Sequence, residues 1–179
     1  MFTTLRLALA CLLLVGCSSV SVKTDYDPQT DFAAFRTWSW LEAGPAPGVD
    51  GLTDGRIRAA VEAVLPTRGL QRAAAGEDAD LRVAYQARVE QRVEAVPAPM
   101  PPPVTYRWRA GYAPYETQQL TTYDEGTLVL DLIAPDGGTL LWRGSATAVV
   151  GTADSPEERE QRIREAVEAI LARFPPGAK

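Results

Sequence analysis

The sequence contains no histidine, and its only lysines, Lys23 and Lys179, lie near the ends of the chain. The missing imidazole excludes His-activated nucleophiles, His general acid–base catalysis and His-ligated metal centres. Without an internal lysine, a serine nucleophile also lacks the other common base. Cysteine is almost as scarce, because Cys11 and Cys17 are the only two and both fall within the first seventeen residues. The remainder has no thiol for a disulfide, a metal or redox chemistry, so its core alone must hold it together. Positive charge is in deficit too. Eighteen basic residues face 23 acidic ones, a net charge of −5, which argues against binding nucleic acid or other polyanions.

What is present describes one ordinary globular domain: 179 residues, 46% hydrophobic and 23% charged, with 14 glycines and 14 prolines. That is apolar enough to bury a core and too apolar for wholesale disorder.

Residues 1–16 read as an address rather than as part of the fold. A weakly basic start ending at Arg6 precedes the apolar run LALACLLLV at 7–15. This run is about half the ~20 residues a spanning helix needs, but it suits the apolar centre of a signal peptide. Leu14-Val15-Gly16-Cys17 resembles a bacterial lipobox. In such a motif the small Gly16 fits the peptidase, and the Cys17 thiol forms a thioether to a diacylglyceryl group. Processing there leaves residues 17–179, a single periplasmic domain with 17 basic and 23 acidic residues. Attachment to a membrane must then come from acyl chains such as palmitate; one holds marginally, whereas two or more hold firmly. Ser18 resembles the signal that sorts such proteins to the outer membrane. Patterned sequence resumes at Val20, and three extended residues reach only roughly 10 Å, so the domain is expected to sit close to the bilayer.

Within the mature chain, Val20, Val22, Thr24 and Tyr26 alternate with Ser21, Lys23 and Asp25, the period of a half-buried strand. Asp27-Pro28 ends it, Phe32 and Phe35 follow in a short turn, and residues 36–41 (RTWSWL) form a second strand. In that strand one of Trp38 and Trp40 is expected to point inward and the other outward. Residues 42–52 read as loop, and Thr53 or Asp54 caps a helix bearing Ile57, Val61, Val64 and Leu65 on one face. Pro66 ends that helix and Gly69 suits its C-terminal cap. The clearest alternation runs from Leu81 to Glu94 and predicts a long strand with one wet face. A hairpin follows over 126–150, with its turn at Pro135-Asp136-Gly137-Gly138. Ser155-Pro156-Glu157-Glu158 then opens a helix whose stripe is Ile163, Val167, Ile170, Leu171 and Phe174. Strands and helices do not alternate singly, so the expected fold class is α+β: two layers, an antiparallel sheet with two helices on one face.

Residues 97–125 stand apart as a flexible insertion, rich in proline, tyrosine and tryptophan and without a period. Tyr106, Trp108, Arg109, Tyr112 and Tyr115 form a candidate binding loop, since tyrosine and tryptophan beside arginine give amphipathic contact area at low entropy cost. They would stack on a glycan or meet a small ligand, an envelope protein or the membrane interface. Asp131 and Arg143 each interrupt an apolar strand on facing arms of the hairpin and are expected to pair and fix its register. Trp142 beside them is assigned to the core.

Catalysis has little to draw on. Glu77-Asp78-Asp80, Asp124-Glu125 and Glu157-Glu158 are the carboxylate clusters, and each sits at a turn or a helix start. A carboxylate-dependent glycan hydrolase needs two acids facing one cleft, about 5–10 Å apart. Asp25, Asp27 and Asp31 lack the glycine and bidentate glutamate of a calcium loop, so no metal site is expected.

Asp25-Tyr26-Asp27-Pro28, Asp31-Phe32, Phe35-Arg36-Thr37-Trp38-Ser39-Trp40, Ala79-Asp80-Leu81, the run GTLVLD at 126–131 and Leu141-Trp142-Arg143-Gly144 together resemble the bacterial lipoprotein family catalogued as domain of unknown function 4136. The likeness spans about residues 20–174. It implies a lipid-anchored envelope protein with an α+β domain and an aromatic insertion, and it carries over no activity, cofactor or catalytic residue. The expectation is therefore a non-catalytic binding or scaffolding lipoprotein on the periplasmic face of the outer membrane. A small-ligand or glycan binder using the aromatic loop is the alternative, and a carboxylate hydrolase a more distant one.

Overall fold

The computed structural model describes residues 20–41, 44–97, 118–151 and 155–177. Six strands, β1 (Ser21–Tyr26), β2 (Thr37–Trp40), β3 (Gln71–Arg72), β4 (Leu81–Pro97), β5 (Gln118–Ile133) and β6 (Leu140–Val149), form one sheet in the order β1-β6-β5-β4-β2-β3. Helices α1 (Gly51–Val64) and α2 (Pro156–Leu171) lie side by side on one face of it. The fold is α+β in two layers. The sheet is mixed rather than wholly antiparallel, because β2 runs parallel to both β3 and β4. Parallel neighbours need a crossover, and α1 supplies it by returning the chain to the end from which β2 started.

The core follows from side-chain alternation. Leu81, Val83 and Tyr85 of β4, Leu128, Leu130 and Leu132 of β5, and Trp142 and Ala146 of β6 all face the helices. Ile57, Ala60, Val61 and Val64 of α1 and Val167, Ile170 and Leu171 of α2 meet them. Trp38 and Trp40 correct one expectation. Being two residues apart in a strand, both point toward the helices, with ring centroids 5.3 Å apart and planes nearly perpendicular. Trp38 is fully buried and Trp40 half-buried.

Local chemistry sets the helix ends. The α1 cap is Asp50, not Thr53 or Asp54: its carboxylate accepts from the amides of Leu52 and Thr53 at 2.9 and 3.0 Å. Helix α1 therefore starts three or four residues before the sequence-based expectation, through Gly51, a weak helix former. After α1, a short 3₁₀ turn (Leu65–Arg68) carries Pro66 in its first turn and closes on Gly69 at φ +85°. The cap of α2 is as expected, with Ser155 Oγ accepting from the Glu158 amide at 3.1 Å. Beyond α2, Phe174 is buried edge-on against Trp142 and Phe32.

Strands β4 and β5 both run further than the sequence pattern indicates, β5 by eight residues at its start. The two strands stay in register from Arg82↔Ile133 to Pro97↔Gln118, while β6 accompanies β5 only as far as Glu125. Residues 97 and 118–125, read from sequence as part of an irregular insertion, are strand. Of these, residues 118–124 pair with 91–97 in a two-stranded ribbon that runs roughly 24 Å beyond the sheet.

One close approach fixes how α2 seats on the sheet. A Cβ on Gly144 would lie 2.5 Å from Cγ2 of Ile170 and equally deep in the Trp142 ring. Gly144→Ala is therefore expected to cost about 2 kcal/mol in chemical denaturation, by overpacking a filled core. Gly55→Ala, in α1 with open space around it, should instead be neutral or gain up to about 1 kcal/mol.

Candidate functional site

A trough of about 680 Å³ opens where β2 ends and β4 continues alone. Trp40, Tyr85 and Arg58 form its helix-side wall, the backbone at Gly44 and Ala46 its rim, and Gln86, Arg88 and Asp131 its opposite side. Its polar centre is a connected set. Asp54 Oδ1 accepts from Tyr85 Oη at 2.6 Å and from Arg58 Nε at 2.7 Å. Tyr85 Oη in turn accepts from the Ala46 amide at 3.2 Å, tying the loop after β2 to β4. Arg58 also donates to the Gly44 carbonyl, and its guanidinium lies 4.5 Å over the Trp40 ring. Trp40 Nε1 donates to Glu62 at 3.0 Å, and Glu62 also receives Arg72 at 2.8 Å.

Electrostatics follow from these contacts. Burial pushes the Asp54 carboxyl up, but the hydrogen bonds from Tyr85 and Arg58 and the Arg58 charge outweigh it and hold the group below the ordinary carboxylate range. Burial, then the bond to Asp54, pushes the Tyr85 phenol up, so it remains a neutral donor at physiological pH. Arg58 occupies the Trp40 face that a sugar ring would stack on.

The structure joins Asp131 and Arg143 as expected. They stand directly opposite in the β5–β6 register. The guanidinium grips the carboxylate through two bonds, Nε to Oδ1 at 2.6 Å and Nη2 to Oδ2 at 2.7 Å. Hydrogen bonding to Asp131 also raises the Arg143 pKa. The pair lies on the face opposite the helices, yet its halves differ sharply: the Asp131 side chain is 7% exposed and that of Arg143 46%.

Among the described residues Asp131 is the only carboxylate lining the trough, and each of its oxygens accepts from Arg143. Members of the sequence clusters also serve local structure. Asp80 accepts from the amides of Arg36 and Thr37, which hold its carboxyl below the usual range. Glu125 pairs with Arg92 at 3.1 Å, and Glu157 and Glu158 lie in the first turn of α2. Among the described residues no group of three or more acids, cysteines or histidines could hold a metal ion, and no helix is long and apolar enough to cross a membrane. Cys17 and the candidate loop residues Tyr106, Trp108, Arg109, Tyr112 and Tyr115 lie outside the described residues. The Asp54–Tyr85–Arg58 set escaped sequence reading. Its one legible trace was Asp54 and Arg58 four residues apart on a predicted helix.

Residues 22–176 match the family described as Domain of unknown function (DUF4136). Among curated proteins none matches. Among solved structures, a PDZ domain protein from Parabacteroides distasonis aligns with a TM-score of 0.58 at 15% identity, over 89% of this chain and 36% of that one. The chain thus spans about a third of that neighbour's length, and the likeness is one of fold. A DUF4136 family protein from Bacteroides thetaiotaomicron aligns at 18% identity with a TM-score of 0.49, over 87% of this chain and 96% of that one. A PelC dodecamer from Paraburkholderia phytofirmans aligns at 10% identity with a TM-score of 0.44, over 86% and 95%.

Two stability measurements check the site. Arg143→Ala leaves a nearly buried carboxylate unpaired and should cost about 2–4 kcal/mol, whereas Asp131→Ala leaves an arginine that water already reaches and should cost about 1 kcal/mol. Asp54→Asn should cost about 2 kcal/mol at pH 7. Because the folded pKa of Asp54 is lowered, its contribution is complete above the unfolded value and lost as pH falls through the folded one. The difference between wild type and Asp54→Asn in urea titrations should therefore be flat from pH 5 to 8 and shrink below about pH 4.

Proposed function

The chain belongs to the Domain of unknown function (DUF4136) family, and from its own residues we propose that it is a lipid-anchored, non-catalytic recognition module of the bacterial cell envelope. The observation that carries this reading is where β1 begins in the sheet, so few residues after Cys17 in the sequence. Four positions after Cys17 the chain enters β1 at Ser21, which pairs with Thr147; Thr147 pairs with Thr127, and Thr127 with Arg88. Those residues mark the end of the sheet from which the β4–β5 ribbon departs. An acyl anchor on Cys17 therefore holds that end, and the ribbon with it, against the bilayer. On the periplasmic face of the outer membrane, where Ser18 directs it, the ribbon meets envelope proteins or glycans rather than nucleic acid. Val89, Val93 and Leu120 are exposed apolar side chains on the same face of the ribbon and its base.

The reading of the module as non-catalytic rests on the chemistry of the trough. Its carboxylate is gripped by Arg143, and neighbouring Asp54 is spent on Tyr85 and Arg58. Neither is left to act as an acid, a base or a nucleophile without dismantling a structural contact.

Fractionation of cells producing the full chain tests the anchor. Wild type should enter the membrane fraction with a mass showing loss of residues 1–16 and addition of diacylglyceryl and fatty acyl groups, and Cys17→Ala should remain unprocessed or turn soluble. Identical fractionation of the two proteins, or an unacylated amino terminus on wild type, would overturn the proposal.

A further inference from the structure

Beyond Val83, β4 has no neighbour on its β2 side among the described residues. The parallel pairing with β2 covers only Trp38↔Leu81, Ser39↔Arg82 and Trp40↔Val83. Leu41 N donates to the Val83 carbonyl, so the polar backbone groups of Val83 face β2. By the alternation of an antiparallel pair, those of even-numbered residues face β5, and those of residues 85, 87, 89, 91, 93 and 95 face the open side. This is a long edge with exposed valines, the kind of strand that templates pairing unless something prevents it.

The sequence along that edge is self-complementary. Residues 87–95 read A-R-V-E-Q-R-V-E-A. Reversed about Gln91, each acid meets a base and each apolar residue meets its like. We propose that β4 is the interface of a symmetric homodimer, in which two copies of this edge pair antiparallel about a two-fold axis at Gln91. In that register Arg88 faces Glu94 of the partner subunit and Glu90 faces Arg92 of the partner subunit. With the reciprocal pairs, that places four ion pairs on the face turned away from the helices. On the other face Val89 meets the partner's Val93, covering both exposed side chains. The pairing sets odd residues opposite odd residues, so the outward-facing amides and carbonyls meet each other directly. Moving the axis one residue, to Glu90 or Arg92, sets like charges opposite at every charged position within that stretch. The same side chains thus select one register and reject its neighbours. Glu90 gains most: it lies directly across from Glu125 within the subunit and shares Arg92 with it. Arg88 of the same strand also reaches Glu90, at 3.2 Å, and the partner's Arg92 brings a further cation to that acidic pair. The trough beside Tyr85 then receives the partner's strand near Ala95, opposite Ala87.

Charge swapping in the full chain, purified in nonionic detergent and followed by sedimentation, tests the proposal independently of the lipid at Cys17. Wild type should sediment as a dimer at micromolar concentration. R88E/R92E makes the edge wholly acidic and E90R/E94R makes it wholly basic. Each should weaken self-association by at least about tenfold while keeping the wild-type circular dichroism spectrum. Mixed one to one, the two variants should form a heterodimer. Gln91→Pro removes an outward amide without touching the β5 ladder and should also give monomer. A monomeric wild type, a dimer indifferent to both double variants, or failure of the mixed variants to associate would each overturn the proposal.

Discussion

The fold depends on how closely α2 can approach the sheet, and that distance is set by Gly144. The missing side chain there lets Ile170 descend onto β6 and the Trp142 ring turn beneath it. Phe174 then closes the layer against Trp142 and Phe32. With no cysteine among the described residues, this interdigitation must supply what a covalent staple gives many small domains. The large rings Trp38, Trp142 and Phe174, all essentially removed from water, concentrate apolar area where the two layers meet.

The opposite face obeys different rules. Among the described residues no helix covers it, yet Asp131 is buried there by its own neighbours and by the arginine it binds. Such a pair adds little net stability over well-packed apolar residues, but it penalises any slip of β5 against β6, since a shift of one residue would leave the carboxylate without its partner. The trough applies the same economy on the other side of β4. There Asp54 uses one oxygen to hold both a helix arginine and a strand tyrosine, fixing α1 and the loop after β2 to the strand they flank.

Much of this was legible in the sequence, and for a common reason: wherever one face of an element is buried, its period is imposed. The alternation from Leu81, the stripe of α2, the Pro66–Gly69 stop and the Asp131–Arg143 pairing all carried that imprint. The parts that escaped lack it. Residues 118–125 belong to a ribbon with water on both faces, so nothing selects an alternation and they read as loop. The parallel β2–β4 pairing is a tertiary choice that a four-residue strand does not encode, and two-residue β3 has no length in which to show a pattern. Placing one tryptophan of the TWSW run (residues 37–40) on each side ignored the strand period, which puts both on one side. The α1 cap was missed because Asp50, Thr53 and Asp54 are all competent, and only the turn geometry chooses among them. The trough was hidden because its members come from β2, α1 and β4 and meet only after folding.

The short reach of β2 has a consequence for how the backbone exchanges with water. Over residues 84–96, one strand is laddered on its β5 side and, among the described residues, bare on the other. In an isolated subunit its amides fall into two interleaved kinetic classes, slow at even positions and fast at odd ones. A segment with that two-beat rhythm can be locally stiff while half its amide protons trade with deuterium as they would in a peptide. Covering the bare side would merge the two classes without moving a single Cα atom.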